Sequence, residues 1–112
     1  MEMVQPAGTV TLLFTDVEGS TRLLEQLGAE RYSTVLELHR RLLREAFAAH
    51  GGFEVDEEGD ALFVVFAATG DAVAAAAEGQ RALAGADWPD GCDGVRVRIG
   101  VHTGEPLAVP PK

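Results

Sequence analysis

Val10-Thr11-Leu12-Leu13-Phe14-Thr15-Asp16-Val17-Glu18-Gly19-Ser20-Thr21 carries an apolar run straight into acids, a glycine and two hydroxyls. Apolar residues that follow one another without alternating mark a strand covered on both faces, so Thr9 to Val17 reads as a buried strand. Ser20 or Thr21 is the expected cap of a short helix bearing Leu23, Leu24 and Leu27, with Gly28 as its stop. A second apolar run, Leu62 to Phe66, is entered through Glu58-Gly59-Asp60. If the two strands pair in one sheet, Asp16 and Asp60 meet at one rim. Carboxylates held close repel each other, and a hard cation between them removes the cost. Backbone N–H groups of the Gly-Ser-Thr opening would suit phosphate. Metal plus triphosphate is the first chemical reading.

The remaining elements follow from periodicity. Tyr32, Val35, Leu36, His39, Leu42, Leu43, Ala46, Phe47 and His50 recur on one face of a helix predicted from about Ala29 to Ala49, and Gly51-Gly52 ends it. Phe53 and Val55 begin a strand that turns through Asp56-Glu57-Glu58-Gly59-Asp60. An alanine-rich helix is expected from about Gly70 to Ala84, with Asp71 in its first turn, and Trp88-Pro89-Asp90-Gly91 is a turn. Val95, Val97, Ile99 and Val101 alternate with Arg96, Arg98 and His102, so Val95 to Thr103 is a half-buried strand. The order is βααββαβ. It predicts an α+β fold, a ferredoxin-like split βαβ with a four-stranded antiparallel sheet and helices on one face. One domain is expected over residues 1–112, with 106–112 as an unstructured tail.

Composition bounds the partners. The 112 residues are 46% hydrophobic and 24% charged, an ordinary globular balance. Eighteen acidic residues against nine basic ones give a net charge of −9 with no basic stripe, which argues against nucleic-acid or anionic-membrane surfaces. Lys112 is the sole lysine and Cys92 the sole cysteine. A lone cysteine forms no internal disulfide and fits a reducing compartment. Polar residues after Met1 show no signal peptide, and no apolar run nears the ~20 residues of a membrane span. The cytoplasm is the expected location. His39 reads as a packed core histidine, His50 as a helix-end residue, His102 as structural, and Asp56-Glu57-Glu58 as a solvated hairpin tip that deepens the acidic field around a cation.

Gly8-Thr-Val-Thr-Leu-Leu-Phe-Thr-Asp-Val-Glu-Gly-Ser-Thr-Arg22 resembles the opening of the class III adenylate/guanylate cyclase catalytic domain. Gly59-Asp60 with Leu62 to Phe66 resembles its second metal motif, and Asp71-Ala72-Val73, Gln80-Arg81-Ala82-Leu83 and Arg96-Val-Arg-Ile-Gly-Val-His-Thr-Gly104 continue the likeness in order. The resemblance covers roughly residues 8 to 105, the N-terminal part of that domain. It implies that Asp16 and Asp60 are catalytic and hold two Mg²⁺ or Mn²⁺ ions, with the Val17 carbonyl as a further ligand. It also implies that the backbone of Glu18, Gly19, Ser20 and Thr21 cradles the phosphates of ATP or GTP. The implied reaction is attack of a ribose 3′-hydroxyl on the α-phosphorus, with pyrophosphate leaving. A homodimer, or pairing with another cyclase-like domain, is implied as well.

Two departures place the chain in a degenerate subgroup. Where ATP-using members carry a base-reading lysine, four positions before the second metal aspartate, this chain has Asp56. The family's later strand and its helix with the asparagine and arginine that stabilise the transition state have no counterpart in these residues, so the isolated chain is expected to be impaired or inactive. The alternative is a non-enzymatic nucleotide- or metal-binding, or dimerising, regulatory module of a signalling or transcription-regulating protein. A gene fragment of a longer cyclase-like protein is a third reading. Phe14-Thr-Asp16-Val17-Glu18-Gly19-Ser20 also resembles the DxDGT motif of haloacid-dehalogenase-type phosphatases. That chemistry wants an aspartate at Glu18, a downstream lysine and a parallel sheet.

Overall fold

β1 (Val10–Val17) forms where apolar residues bunch ahead of Asp16, and it takes a central place in the sheet. The computed structural model describes residues 8–105, so the expected tail at 106–112 lies outside the described residues. After β1 come α1 (Ser20–Leu27), α2 (Ala29–Ala49), β2 (Phe53–Glu58), β3 (Ala61–Phe66), α3 (Thr69–Ala84) and β4 (Val97–Gly104). The sheet order is β2-β3-β1-β4 and every neighbouring pair is antiparallel. This is the split βαβ arrangement predicted from the order of elements.

Strand alternation divides the sheet into two faces. Thr11, Leu13, Thr15 and Val17 of β1 share a face with Leu62, Val64 and Phe66 of β3, and all are buried. The buried face of α2, formed by Val35, His39, Leu43, Ala46 and Phe47, completes this core. Phe47 meets Phe66 edge-on, their ring centroids 6.4 Å apart. Small residues on α3 allow α2 to come close: a Cβ on Gly79 would stand 3.0 Å from Leu43 Cδ2. Ala72, Ala75 and Leu83 are buried on the same stripe. The opposite face of the sheet carries Leu12, Phe14, Asp16, Phe63 and Val65, with Phe14 41% exposed.

Local chemistry departs from expectation in three places. Neither Ser20 nor Thr21 caps α1. Gly19, in the left-handed region at φ 66°, makes the turn into the helix and no side chain caps it. β2 runs on through Glu58, so Asp56, Glu57 and Glu58 lie in the strand and only Gly59-Asp60 remain as the turn. β4 starts at Val97, two residues later than its alternation suggests, because Gly94 at φ 141° breaks the extended run. At the start of α3, which lacks a side-chain cap, the Thr69 hydroxyl instead joins those of Thr11 and Thr103 in a triangle of 2.9, 2.9 and 3.0 Å. This triangle ties α3 to β1 and β4.

Candidate functional site

The rim formed by the end of β1 and the β2–β3 turn gathers the residues singled out above. Thr15 pairs with Leu62, and its hydroxyl accepts the Leu62 N–H at 3.2 Å, which pins the start of β3 to the end of β1. The next register positions set Asp16 opposite Ala61 and Val17 opposite Asp60. The Glu18 N–H donates to the Arg96 carbonyl at 2.8 Å, so Glu18 faces β4 in the ladder. Backbone groups alternate sides along a strand, so the Val17 carbonyl turns the other way, towards the register position of Asp60.

Both aspartates act on one cation that sequence reading did not single out. Arg98, opposite Asp16 on β4, donates from Nε and from a terminal nitrogen to the two Asp16 oxygens at 2.9 Å each. The guanidinium pKa is raised, first by the hydrogen bond and charge of Asp16, then by the charges of Glu18 and Asp60. Arg98 thus stands where positive charge is wanted, bonded to Asp16 of β1 and within the field of Glu18 just after β1 and Asp60 of the β2–β3 turn. Outward-facing basic residues on a half-buried strand normally read as solvated. Only the pairing of residues 82 apart reveals this one.

The β2–β3 turn is held from below by α2. Arg40 donates to the Gly59 carbonyl, next to Asp60, and its Nε lies 3.2 Å from Glu57 without aiming its N–H at it. Arg44, one helical turn on, grips Glu54 through two bonds of 2.8 and 3.0 Å and also reaches Glu57. Its pKa is raised, chiefly by the Glu54 hydrogen bond against a smaller desolvation effect. The acidic hairpin is therefore clamped to α2 through Glu54 and Glu57, where a solvated tip was expected. The i, i+4 spacing of Arg40 and Arg44 is the signal that could have found the clamp. Tyr32 joins the same corner: burial and then the Asp60 charge raise its phenol pKa, while Arg40 and a hydrogen bond with Ser20 lower it.

The expected phosphate loop is only partly free. The Glu18 N–H is committed to the sheet, while the first bond within α1 runs from the Leu23 N–H to the Gly19 carbonyl. The N–H groups of Gly19, Ser20, Thr21 and Arg22 therefore precede the helix's own ladder, as in any first turn. Asp56 lies beyond the bulge in β2, opposite Phe63 on the uncovered face, and accepts the Glu57 N–H at 2.9 Å. Two clefts border Glu18 from the other side. One of about 580 Å³ is lined by Gln80, Leu83, Trp88 and Arg96 among others, and one of about 260 Å³ by Gly19, Arg22 and Gln26. Neither takes in Asp16 or Asp60, and the Asp16 side chain is 46% exposed.

Hard oxygen donors and a guanidinium standing in for a cation fit a divalent ion of the Mg²⁺ type. Among the described residues no group of three or more His, Cys, Asp or Glu side chains is arranged to hold a metal ion.

A split βαβ sheet with acids at the ends of its paired central strands defines a nucleotide-cyclase type of domain. Residues 2–109 match the family model for the adenylate and guanylate cyclase catalytic domain, and the chain belongs to that family. It is 34% identical to an adenylate cyclase of Podospora anserina over 97% of this chain and 6% of that protein. It is 38% identical to an uncharacterised protein of Mycobacterium tuberculosis over 89% of this chain and 33% of that protein. The chain thus spans a third or less of these relatives. Among solved structures, an adenylate cyclase from Trypanosoma brucei in its monomeric state superposes with a TM-score of 0.75 at 27% identity, covering 89% of this chain and 58% of that one. The guanylate cyclase domain of a Catenaria anguillulae protein, solved with GTP, gives 0.78 at 19% identity over 90% of this chain and 59% of that one, a likeness of fold. Among the described residues no helix is long and apolar enough to cross a membrane.

Proposed function

We propose that these 112 residues form the metal- and phosphate-binding half of a nucleotide cyclase centre, unable to complete the reaction alone. The observation that carries this reading is the rim itself: Asp16 lies one residue before the end of β1, Asp60 lies in the turn just before β3, and the charges of both bear on Arg98. Asp16 and Asp60 would hold Mg²⁺ or Mn²⁺ with the Val17 carbonyl, and the backbone around Gly19, Ser20 and Thr21 would receive phosphates of ATP or GTP. Glu18 contributes through its charge, because its N–H is already committed. Bound there, the ion supplies Lewis-acid assistance to phosphoryl transfer. Asp16 and Asp60 would hold the ion, and Arg98, released from Asp16, would offer a planar donor pair to phosphate oxygens. The asparagine and arginine expected of a complete centre have no counterpart in these residues, and Asp56 stands at the base-reading lysine's position.

Calorimetric titration with Mn²⁺ plus GTP or ATP tests this. The native chain should bind metal and triphosphate together more tightly than metal alone. Asp16→Ala should weaken binding about tenfold or more, a loss on the order of 1.4 kcal/mol. No heat, or heat that Asp16→Ala leaves unchanged, overturns the site. Cyclic nucleotide produced by this chain alone overturns its incompleteness.

The uncovered sheet face favours a second reading, a module that pairs with another cyclase-like domain in the cytoplasm. Phe14 at 41% exposure, flanked by Phe63 and Leu12, offers that face to a partner.

A further inference from the structure

Backbone pairing along β1 is lopsided at the metal rim. On one side β1 stays joined to β4 to its last residue, Val17 with Val97, and the Glu18–Arg96 bond carries the ladder one residue further. On the other side its register with β3 stops at Thr15 with Leu62. Glu18 aims its backbone at β4, so Thr15 and Val17 aim theirs at β3. The next pair in line is therefore Val17 with Asp60. Among the described residues no backbone bond joins the Asp60 N–H to the Val17 carbonyl. The two strands fork after Thr15, and both groups stand in the mouth of the fork.

At the vertex of the fork stands a hydroxyl. Thr15 is 2% exposed, so its side chain is shut off from solvent, and it accepts the Leu62 N–H at 3.2 Å. Asp60 is thus bracketed by two backbone anchors. Two residues after it, the Leu62 N–H is held by Thr15; one residue before it, the Gly59 carbonyl is held by Arg40 of α2. Neither anchor spends a group of Asp60 itself. We propose that Thr15 is the positioning residue of this rim: its hydroxyl ends the β1–β3 ladder one pair early and keeps the Val17 carbonyl open for a cation. The role of the cation rests on the function proposed above; the fork does not. A valine has the same shape and lacks the acceptor. In Thr15→Val the Leu62 N–H is left to the carbonyl of residue 15, and the strands close by one more pair. The Asp60 N–H then takes the Val17 carbonyl, and the ion loses a ligand. Serine keeps the acceptor and gives up only a methyl group.

Thr15→Val and Thr15→Ser, made in the full 112-residue protein and compared with the native chain, test this. Hydrogen exchange at the Asp60 amide reads the fork, and calorimetric titration with Mn²⁺ plus GTP reads the ion. The amide should exchange freely in the native chain and in Thr15→Ser, and become protected in Thr15→Val. Mn²⁺ binding should weaken about tenfold or more in Thr15→Val, the usual cost of losing a group that orients a metal's ligands, and should persist in Thr15→Ser. Thr15→Ala, which also lacks the hydroxyl, serves if the valine variant fails to fold. Urea midpoints separate this outcome from general loosening. A role in packing alone predicts the reverse order, since serine leaves a methyl-sized void and valine fills it. An Asp60 amide that stays as open in Thr15→Val as in the native chain overturns the proposal. So does Mn²⁺ affinity that follows stability rather than the hydroxyl. A native chain that takes no Mn²⁺ overturns the proposed function instead, and the amide then decides the fork by itself.

Discussion

The imidazole of His39, fully buried in α2, donates from Nδ1 to the Leu36 carbonyl at 3.1 Å, because a carbonyl can only accept. Nε2 is then a bare acceptor, and among the described residues it has no partner. Burial is the main cause that lowers its pKa from 6.5; Arg40 and Arg44 add to this, while the Leu36 bond and Asp60 oppose it. An unfolded chain takes up the proton near pH 6.5, and the folded one only at lower pH. Between those points the unfolded state binds more protons, so stability rises with pH. The stability His39 allows is complete above about 6.5 and is lost as pH falls from there towards the folded value. Urea midpoints at pH 7.5 and 5.5 check this. His39→Leu should reduce the drop between the two conditions relative to the native chain, and an unchanged drop would assign it to carboxylates alone.

At the scale of elements, the α2–β2 junction is a tight joint. Gly52 is buried where the chain leaves α2, and a Cβ there would lie 2.8 Å from Phe66 and Val64 and 2.9 Å from the Phe47 carbonyl. The carbonyl is backbone and cannot swing aside. Gly52→Ala should therefore cost about 1–3 kcal/mol, the range for overpacking a filled core, measured as a lower urea midpoint. Gly70→Ala is the contrast: its Cβ would meet nothing within 4 Å, and in α3 it should be neutral or stabilising by up to about 1 kcal/mol. The same elements show what a sequence can disclose. The buried face of α2 was legible because apolar residues repeat with the period of the helix, and β1 because its apolar residues bunch together rather than alternate. The cap of α1 was misread because a left-handed Gly19 does by backbone what Ser20 was expected to do by side chain. The partners of Arg98, Arg40 and Arg44 were not legible, since a charge on a solvent face has no signature of what lies across from it. Asp16 and Asp60 could be placed on one rim from strand order alone; the Arg98 guanidinium that pairs with Asp16 could not.

For the whole molecule, charge is the dominant long-range term. Eighteen acids against nine bases leave −9, and repulsion among them loosens the folded state. The acids are also uneven: Asp16, Glu18 and Asp60 crowd one corner, with Arg98 as their shared counter-charge. Two effects of salt can then be told apart. Sodium chloride screens all charges beyond a Debye length of ~10 Å at 0.1 M, so the melting temperature should rise with its concentration. Magnesium chloride at matched ionic strength screens comparably and, on the proposed function, should in addition bind the folded rim. Binding to the native state alone adds about 1.4 kcal/mol at ten times the dissociation constant. For a domain of this size that is a further rise of several degrees, about 4 °C or more per kcal/mol. Asp60→Asn should abolish the excess that magnesium gives over sodium while leaving the sodium response in place. Equal melting curves in the two salts for the native chain would show that the rim acts only through its general field. An excess that survives Asp60→Asn would move the ion to another part of the acidic surface.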